Sequence, residues 1–333
     1  MSDAAVPRPD AVVGPDAGAP APDVSIVIPV YNEEANLPTL FDRLVAVADA
    51  LGRPAEIVFV DDGSGDRSRD ILVGLHGKRP DLLRVVEFDR NYGQHMAVVA
   101  GFEQSRGGIV VTLDADLQNP PEEIPKLLAE IDAGHDVVGG YRRDRKDSFL
   151  RRWPSAVVNR IRGAITGIRI RDQGCMLRAY RRTIVQEIID SGETSTFIPA
   201  LAQYYAANPT EVEVEHAARH AGKSNYNLYK LIRLNFDLMT GFSLVPLQVF
   251  TLFGMTVSGL SLMLVVYMAL RRIFIGPEAE GLFTLFGILF FLIGVAITGL
   301  GIVGEYVGRI YLQVRNRGRF RIRTIHDRES SDS

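Results

Sequence analysis

The chain has almost no cysteine. Cys175 stands alone among 333 residues, which excludes an intramolecular disulfide framework and suits a reducing compartment. Cys175 itself reads as a small packed residue. Positive charge is not in excess either: the formal net charge is −3, whereas a nucleic-acid binder is usually basic overall, so no nucleic-acid partner is expected. Residues 1–23 lack the apolar segment of a secretory signal and consist largely of Ala, Pro, Asp and Gly, which predicts a disordered tail.

Charge is also missing from two long stretches. Residues 244–270 and 282–304 contain no Asp, Glu, Lys or Arg, and each exceeds the roughly 20 residues that span a bilayer. Two membrane helices are the expectation; the alternative is a pair of helices buried in a large soluble core. Pro246 falls in the first turn of the first stretch, where its missing N–H does no harm. The short link 271–281 makes the pair an antiparallel hairpin. Arg309, Arg315, Arg317, Arg319, Arg321 and Arg323 follow the second stretch without an acidic residue among them, against Arg271 and Arg272 in the link. The positive-inside rule then places both termini and the globular part in the cytoplasm, in a multi-pass protein of the inner membrane. The basic tail, 305–333, would lie against anionic headgroups.

The length, with 47% hydrophobic residues, leaves room for about two domains. Before the hairpin, β-branched runs at 24–30, 56–60, 83–88, 109–113 and 136–139 alternate with helical patterns such as 37–51 and 94–105. This order predicts an α/β fold with a mainly parallel, doubly wound sheet and a ligand at the carboxyl ends of its strands. The polar motifs fall at those ends. They are Pro29–Glu34 after the first run, Asp61-Asp62-Gly63-Ser64 after the second, Arg90–His95 after the third, and Asp114-Ala115-Asp116 after the fourth. In an extended segment side chains two apart share a side, so Asp114 and Asp116 can hold one hard cation, Mg2+ or Mn2+, that keeps positions open for substrate phosphates.

Three of these motifs, Val-Ile-Pro-Val-Tyr-Asn-Glu-Glu at 27–34, Val-Asp-Asp-Gly-Ser at 60–64 and Leu-Asp-Ala-Asp-Leu-Gln at 113–118, resemble in that order a family 2 glycosyltransferase of the GT-A fold. The segments 91–95, 118–125, 174–182, 195–199 and 304–311 are similar to the polyprenyl-phosphate branch, and within it to the transferases that carry formamido-arabinose to undecaprenyl phosphate. The likeness covers roughly 24–323. It implies a GT-A nucleotide-sugar-binding domain over 24–224, an interfacial helix over 225–243, and then the hairpin.

Residue roles follow from the resemblance. Asp62 with Asp61 would contact the nucleotide, with Pro29, Tyr31 and Glu33 walling the base and ribose and Asn91 and Ala115 close by; a plain Asx turn is the competing account of 61–64. Asp114, Asp116 and Gln118 would hold the metal, with Asp116 central to catalysis. Asp172 would orient acceptor or sugar, a base role left open, unless it caps a helix or forms a salt bridge. Arg142, Arg145 and Arg151 match arginines expected at the acceptor phosphate, as do Arg219, Lys223 and Ser224, although Asn225 stands where the family has lysine. The spacing of Tyr226, Tyr229, Ile232, Phe236 and Met239 beside Lys230 and Arg233 fits an interfacial helix or a packing helix of the globular domain.

The expected reaction is transfer of one sugar, with inversion, from a nucleotide sugar, a UDP sugar first among the candidates, to undecaprenyl or another polyprenyl phosphate in the lipid bilayer. The resemblance also implies a homotetramer. A processive polysaccharide synthase and a non-catalytic lipid-carrier scaffold are the alternatives.

Overall fold

The computed structural model describes residues 21–142, 170–172, 174–192, 197–216, 244–274, 276, 282–314 and 319–328. The chain divides into two compact units, one of 1–146, 170–223 and 318–333 and the other of 147–169 and 224–317.

The first unit is built on an eight-stranded sheet. Its strands are β1 (Val24–Val30), β2 (Ala55–Asp61), β3 (Leu83–Phe88), β4 (Ile109–Thr112), β5 (Val137–Arg142), β6 (Arg178–Arg181), β7 (Pro209–Val214) and β8 (Ile322–His326), in the spatial order β7-β5-β6-β4-β1-β2-β3-β8. The pairs β1–β2, β1–β4, β2–β3 and β5–β7 are parallel, whereas β6 runs antiparallel to β4 and β5, and β8 antiparallel to β3. The α/β expectation therefore holds. The central parallel strands β1 to β4 are buried on both faces, as their nearly unbroken apolar runs require.

Helices α1 (Leu37–Ala50), α2 (Ser68–His76), α3 (Gln94–Gln104), α4 (Ile124–Asp132), α5 (Arg182–Asp190) and α6 (Ile198–Tyr205) complete this unit among the described residues. Helix α1 shows why they form: Leu37, Leu40, Phe41, Leu44, Val47 and Ala48 recur at threes and fours and are all buried, while Pro38 occupies the first turn, where an N–H has no helical partner. Alternation of strand and helix brings the loops after β1, β2, β3 and β4 to one edge of the sheet.

The second unit carries α7 (Val245–Phe274) and α8 (Leu282–Val314). Both are long and apolar enough to cross a bilayer. Their apolar side chains stand outward, with Met263 70% and Leu300 75% exposed, the reverse of what a buried soluble core would do. They approach each other at Gly299, where a Cβ would come within 2.1 Å of the Phe250 ring. Small residues allow such close passage in apolar helix pairs.

The stretch 305–333, read from sequence as a basic tail, is partly regular structure. Helix α8 continues to Val314, and Ile322–His326 covers the edge of β3. Covering that edge satisfies a row of backbone groups otherwise open to solvent.

Candidate active site

The loops after β1 and β2 are laced together. The Asn32 N–H donates to Ser64 Oγ at 3.1 Å, the Gly65 N–H to Asn32 Oδ1 at 2.8 Å, and the Glu33 N–H to Ser68 Oγ at 2.8 Å. Asn32 takes a positive φ of 56°, tolerable for asparagine. Gly63 also has a positive φ, 67°, and a Cβ there would lie 2.4 Å from the Arg90 carbonyl carbon. Only glycine lets the Asp61–Ser64 turn press against the loop after β3.

Asp62 fastens that contact. Its two carboxylate oxygens accept the Tyr92 and Gly93 backbone N–H groups at 2.6 and 2.9 Å. Asp61 accepts the Ser64 N–H at 3.2 Å. Both aspartates are 2% exposed, and burial pushes both carboxyls above the usual range against the opposing pull of these hydrogen bonds. The structure thus gives Asp62 a loop-holding part that the sequence does not announce.

The loop so held ends at Gln94, the first residue of α3. Its side-chain amide donates to Asp114 Oδ1 at 2.6 Å. Asp116 is gripped by Gln118, through the backbone N–H at 3.1 Å and through the side-chain amide. Leu117 between them has a φ of 61°, so the backbone turns back on itself to do this. Ala115 is buried.

The Asp114 carboxyl is strongly perturbed. Burial, then the charges of Asp116 and Glu33, raise its pKa to about 7, while Gln94 and Arg142 act in the opposite direction. Two carboxylates that destabilise each other's charge inside protein, with the Gln118 amide beside them, make a hard oxygen donor set with a surplus of negative charge. A divalent cation relieves that surplus, so the residues fit a metal. Among the described residues no group of three His, Cys, Asp or Glu side chains forms a metal site; a Mg2+ or Mn2+ ion here would be held by the two carboxylates and Gln118 and take its other ligands from substrate and water.

On the other side stand Arg142 and Asp172. Arg142 Nε and Nη2 donate to the two oxygens of Asp172 at 2.5 and 2.8 Å. Asp172 is 4% exposed and also accepts the Gly174 N–H at 3.0 Å. Buried Arg178 ties the same loop from below, donating to the carbonyls of Asp172 and Cys175 at 2.9 and 3.1 Å. Cys175 is packed and its thiol is pushed up to about 11 by burial, in keeping with its sequence reading.

The structure therefore gathers Glu33, Asp114, Asp116, Gln118, Arg142 and Asp172. Tyr31, half exposed, and Asn91 lie on the flanking loops, and Pro29 in β1 pairs with Val60. Arg145, Arg151, Arg219, Lys223, Ser224 and the segment 225–243 fall outside the described residues.

Sequence reasoning reaches Gln94 only as part of the motif Arg90–His95, without a part of its own, and does not reach His216. Gln94 carries a weak signal, its place at a helix start after a parallel strand. His216 follows β7, a strand the apolar pattern does not reveal; its Nε2 lies 3.5 Å from Arg142 Nη1. Burial and then the Arg142 charge lower its pKa against the pull of Asp116 and Asp172.

Comparison with known proteins gives the family. The model of glycosyl transferase family 2 matches residues 25–189. The undecaprenyl-phosphate 4-deoxy-4-formamido-L-arabinose transferase of Shewanella sediminis (strain HAW-EB3) is 46% identical over 304 residues, 91% of this chain and 92% of that one. The same transferase of Pseudomonas aeruginosa (strain LESB58) is 48% identical over 304 residues, 91% of this chain and 90% of that one. Among solved structures, glucosyl-3-phosphoglycerate synthase from Mycobacterium tuberculosis, in complex with Mn2+, UDP and glucosyl-3-phosphoglycerate, is similar at a TM-score of 0.45 and 17% identity over 66% of this chain and 78% of that one. With nearly half its residues shared over almost the whole length of the Shewanella and Pseudomonas proteins, and with its carboxylates gathered at the sheet edge, the chain belongs to glycosyltransferase family 2, in the family of the undecaprenyl-phosphate formamido-arabinose transferases.

Proposed function

We propose that this glycosyltransferase moves a single sugar, with inversion, from a UDP sugar to undecaprenyl phosphate, and that the sugar is 4-deoxy-4-formamido-L-arabinose. The observation that carries the reading is the gathering of Asp114 and Asp116 near the Arg142–Asp172 pair. In this reading a donor diphosphate at the two aspartates would have a fixed cation near it. The names of the relatives supply the acceptor and the sugar.

Asp114, Asp116 and Gln118 would hold Mg2+ or Mn2+, which supplies charge neutralisation at the diphosphate of the departing nucleotide. Gln94 and Gln118 set the directions of the two aspartates before any substrate arrives. Asp61, Asp62, Pro29, Tyr31, Glu33, Asn91 and Ala115 line the nucleotide side. A phosphate monoester has a second pKa near 6, so the acceptor is largely a dianion at pH 7 and attacks without a strong base. Repulsion is the harder problem: two unit charges about 5 Å apart at an effective dielectric near 20 cost roughly 3 kcal/mol. Arg142, fixed by Asp172, places positive charge there in advance. Arg145, Arg151, Arg219, Lys223 and Ser224 extend it toward the acceptor phosphate.

Pairing of β8 with β3 supports a hairpin that leaves and re-enters one side of the membrane, since the chain must come back to the sheet it left. The arginines after α8 favour the cytoplasmic side. The segment 225–243 would then lie at the headgroups, and the active enzyme would be a homotetramer.

The test is nucleotide release by the full-length protein in nanodiscs with Mg2+ or Mn2+, a panel of UDP and GDP sugars, and undecaprenyl phosphate present or absent. Release that requires metal, the lipid and the formamido-arabinose donor supports the reading. Asp116→Ala should abolish it, and Arg145→Ala should chiefly raise the lipid KM. Polymer formation would favour a processive synthase, and nucleotide binding without release from any donor would favour a scaffold.

A further inference from the structure

Four residues, 315–318, separate the end of α8 at Val314 from Arg319. From there the chain runs onto the end of β3 and the loop 89–94 that follows it. Arg319 donates to the Ile189 carbonyl at 2.9 Å and lies 3.8 Å from Glu103. The Phe320 ring stacks on Phe88, with centroids 5.0 Å apart and planes 19° from parallel. The Arg321 carbonyl accepts the Asp89 N–H at 3.4 Å, after which β8 pairs with β3. At the far end Asp327 accepts from Arg84 at 2.5 Å and from Arg106 at 2.9 and 3.0 Å.

Phe88 is the last residue of β3, and its ring also meets Tyr92 edge-on at 5.5 Å. The Tyr92 hydroxyl donates to Asp89 at 2.9 Å, and the Arg90 guanidinium sits 4.9 Å over its ring. The Tyr92 and Gly93 N–H groups are those that Asp62 holds, and Gln94 is the next residue. The loop is thus gripped from two sides, by the Asp61–Ser64 turn and by an aromatic stack whose outer member comes from beyond the apolar hairpin. Covering the edge of β3 requires backbone pairing alone. The strand pairing begins at Ile322, so the Phe320 ring lies outside the ladder and adds a contact at the point where β3 becomes loop.

We propose that Phe320 is a positioning residue for the transferase, holding loop 89–94 through Phe88 and Tyr92 in the shape that presents Gln94 to Asp114. The inference rests on the donor and metal reading of Asp114. It makes the geometry of the donor side depend on residues that follow the second apolar helix in the chain.

The experiment uses full-length protein in nanodiscs and four variants: Phe320→Ala, Phe320→Leu, Phe320→Tyr and Asp327→Ala. Mn2+ binding and UDP binding are each measured by titration calorimetry, alongside donor KM, lipid KM and Tm. Stacked aromatic pairs contribute about 0.5–1.5 kcal/mol beyond their area, which corresponds to about two- to tenfold in affinity. Phe320→Ala and Phe320→Leu should therefore weaken Mn2+ binding and raise donor KM by about two- to tenfold, with lipid KM unchanged. Phe320→Tyr, which keeps the stack, should restore both. Asp327→Ala should lower Tm without moving donor KM. Wild-type Mn2+ and UDP binding in Phe320→Leu would overturn the proposal, as would an Asp327→Ala protein whose donor KM rises as much. If the wild-type protein itself binds neither UDP nor Mn2+, the donor and metal reading falls first and the inference with it.

Discussion

Arg142 holds both carboxylate oxygens of Asp172, at 2.5 and 2.8 Å, so a residue expected at the acceptor phosphate and one expected to orient acceptor or sugar act as a unit. Removing one member takes a two-pronged ionic contact from the other, and this weighs most on Asp172, whose side chain is 5% exposed against 21% for Arg142. Arg142→Gln should cost roughly 2–4 kcal/mol of stability. The double variant Arg142→Gln with Asp172→Asn should regain most of that while staying inactive. Thermal unfolding and turnover across the double-mutant cycle decide it; additive losses of stability would show that the pair is not coupled.

Asp114 gives a pH dependence with a definite sign. Its pKa rises from 3.8 to about 7 in the fold, so the metal-free protein favours the neutral acid. The stability this contributes is fully present below 3.8 and is lost as pH rises through about 7. Asp114→Asn, which cannot ionise, should melt on the order of a few degrees above wild type at pH 8 in EDTA, match it near pH 4, and lack turnover. Equal melting temperatures at pH 8 would contradict the assigned burial of charge.

Gly63 tests the turn against the loop. A Cβ at φ 67° and 2.4 Å from the Arg90 backbone cannot be relieved by moving a side chain. Gly63→Ala should cost about 1–3 kcal/mol and reduce UDP binding, because the loop held by Asp62 must shift. Gly77→Ala is the control: its φ is −59° and the added Cβ meets nothing nearer than 3.6 Å, so its Tm should hold or rise slightly.

Cys175 should be chemically quiet. With its thiol pushed up to about 11 by burial, almost no thiolate exists at pH 8. Iodoacetamide should leave it unmodified for hours in the native protein and label it promptly in denaturant. Rapid native labelling, read by intact mass, would mean that the loop 172–175 opens.

Five strands can be read from the sequence because they are β-branched runs buried on both faces, and the observed bounds differ by a residue or so, apart from β5, which continues to Arg142. The other three cannot. Strand β6 reads Arg-Ala-Tyr-Arg, and its charge is tolerated only because Arg178 finds the Asp172 and Cys175 carbonyls. Strands β7 and β8 lie at the sheet edges, where Glu213 and Arg323 can face outward and blur the pattern. The same divide runs through the site. Asp114 and Asp116 are legible because local spacing places them together, whereas the loop-holding of Asp62 and the parts of Gln94 and His216 depend on contacts between segments 20 to about 100 residues apart.

The position of β8 also sets an order of assembly. In the chain it comes after both apolar helices, yet it pairs with β3, which precedes them by more than 150 residues. While the chain grows, the outer edge of β3 stays unpaired until the hairpin has been made, a condition in which exposed strand edges invite wrong partners. The sheet of this enzyme is thus completed by residues that follow the apolar hairpin in the chain, and a defect in forming the hairpin would surface as a defect in the sheet.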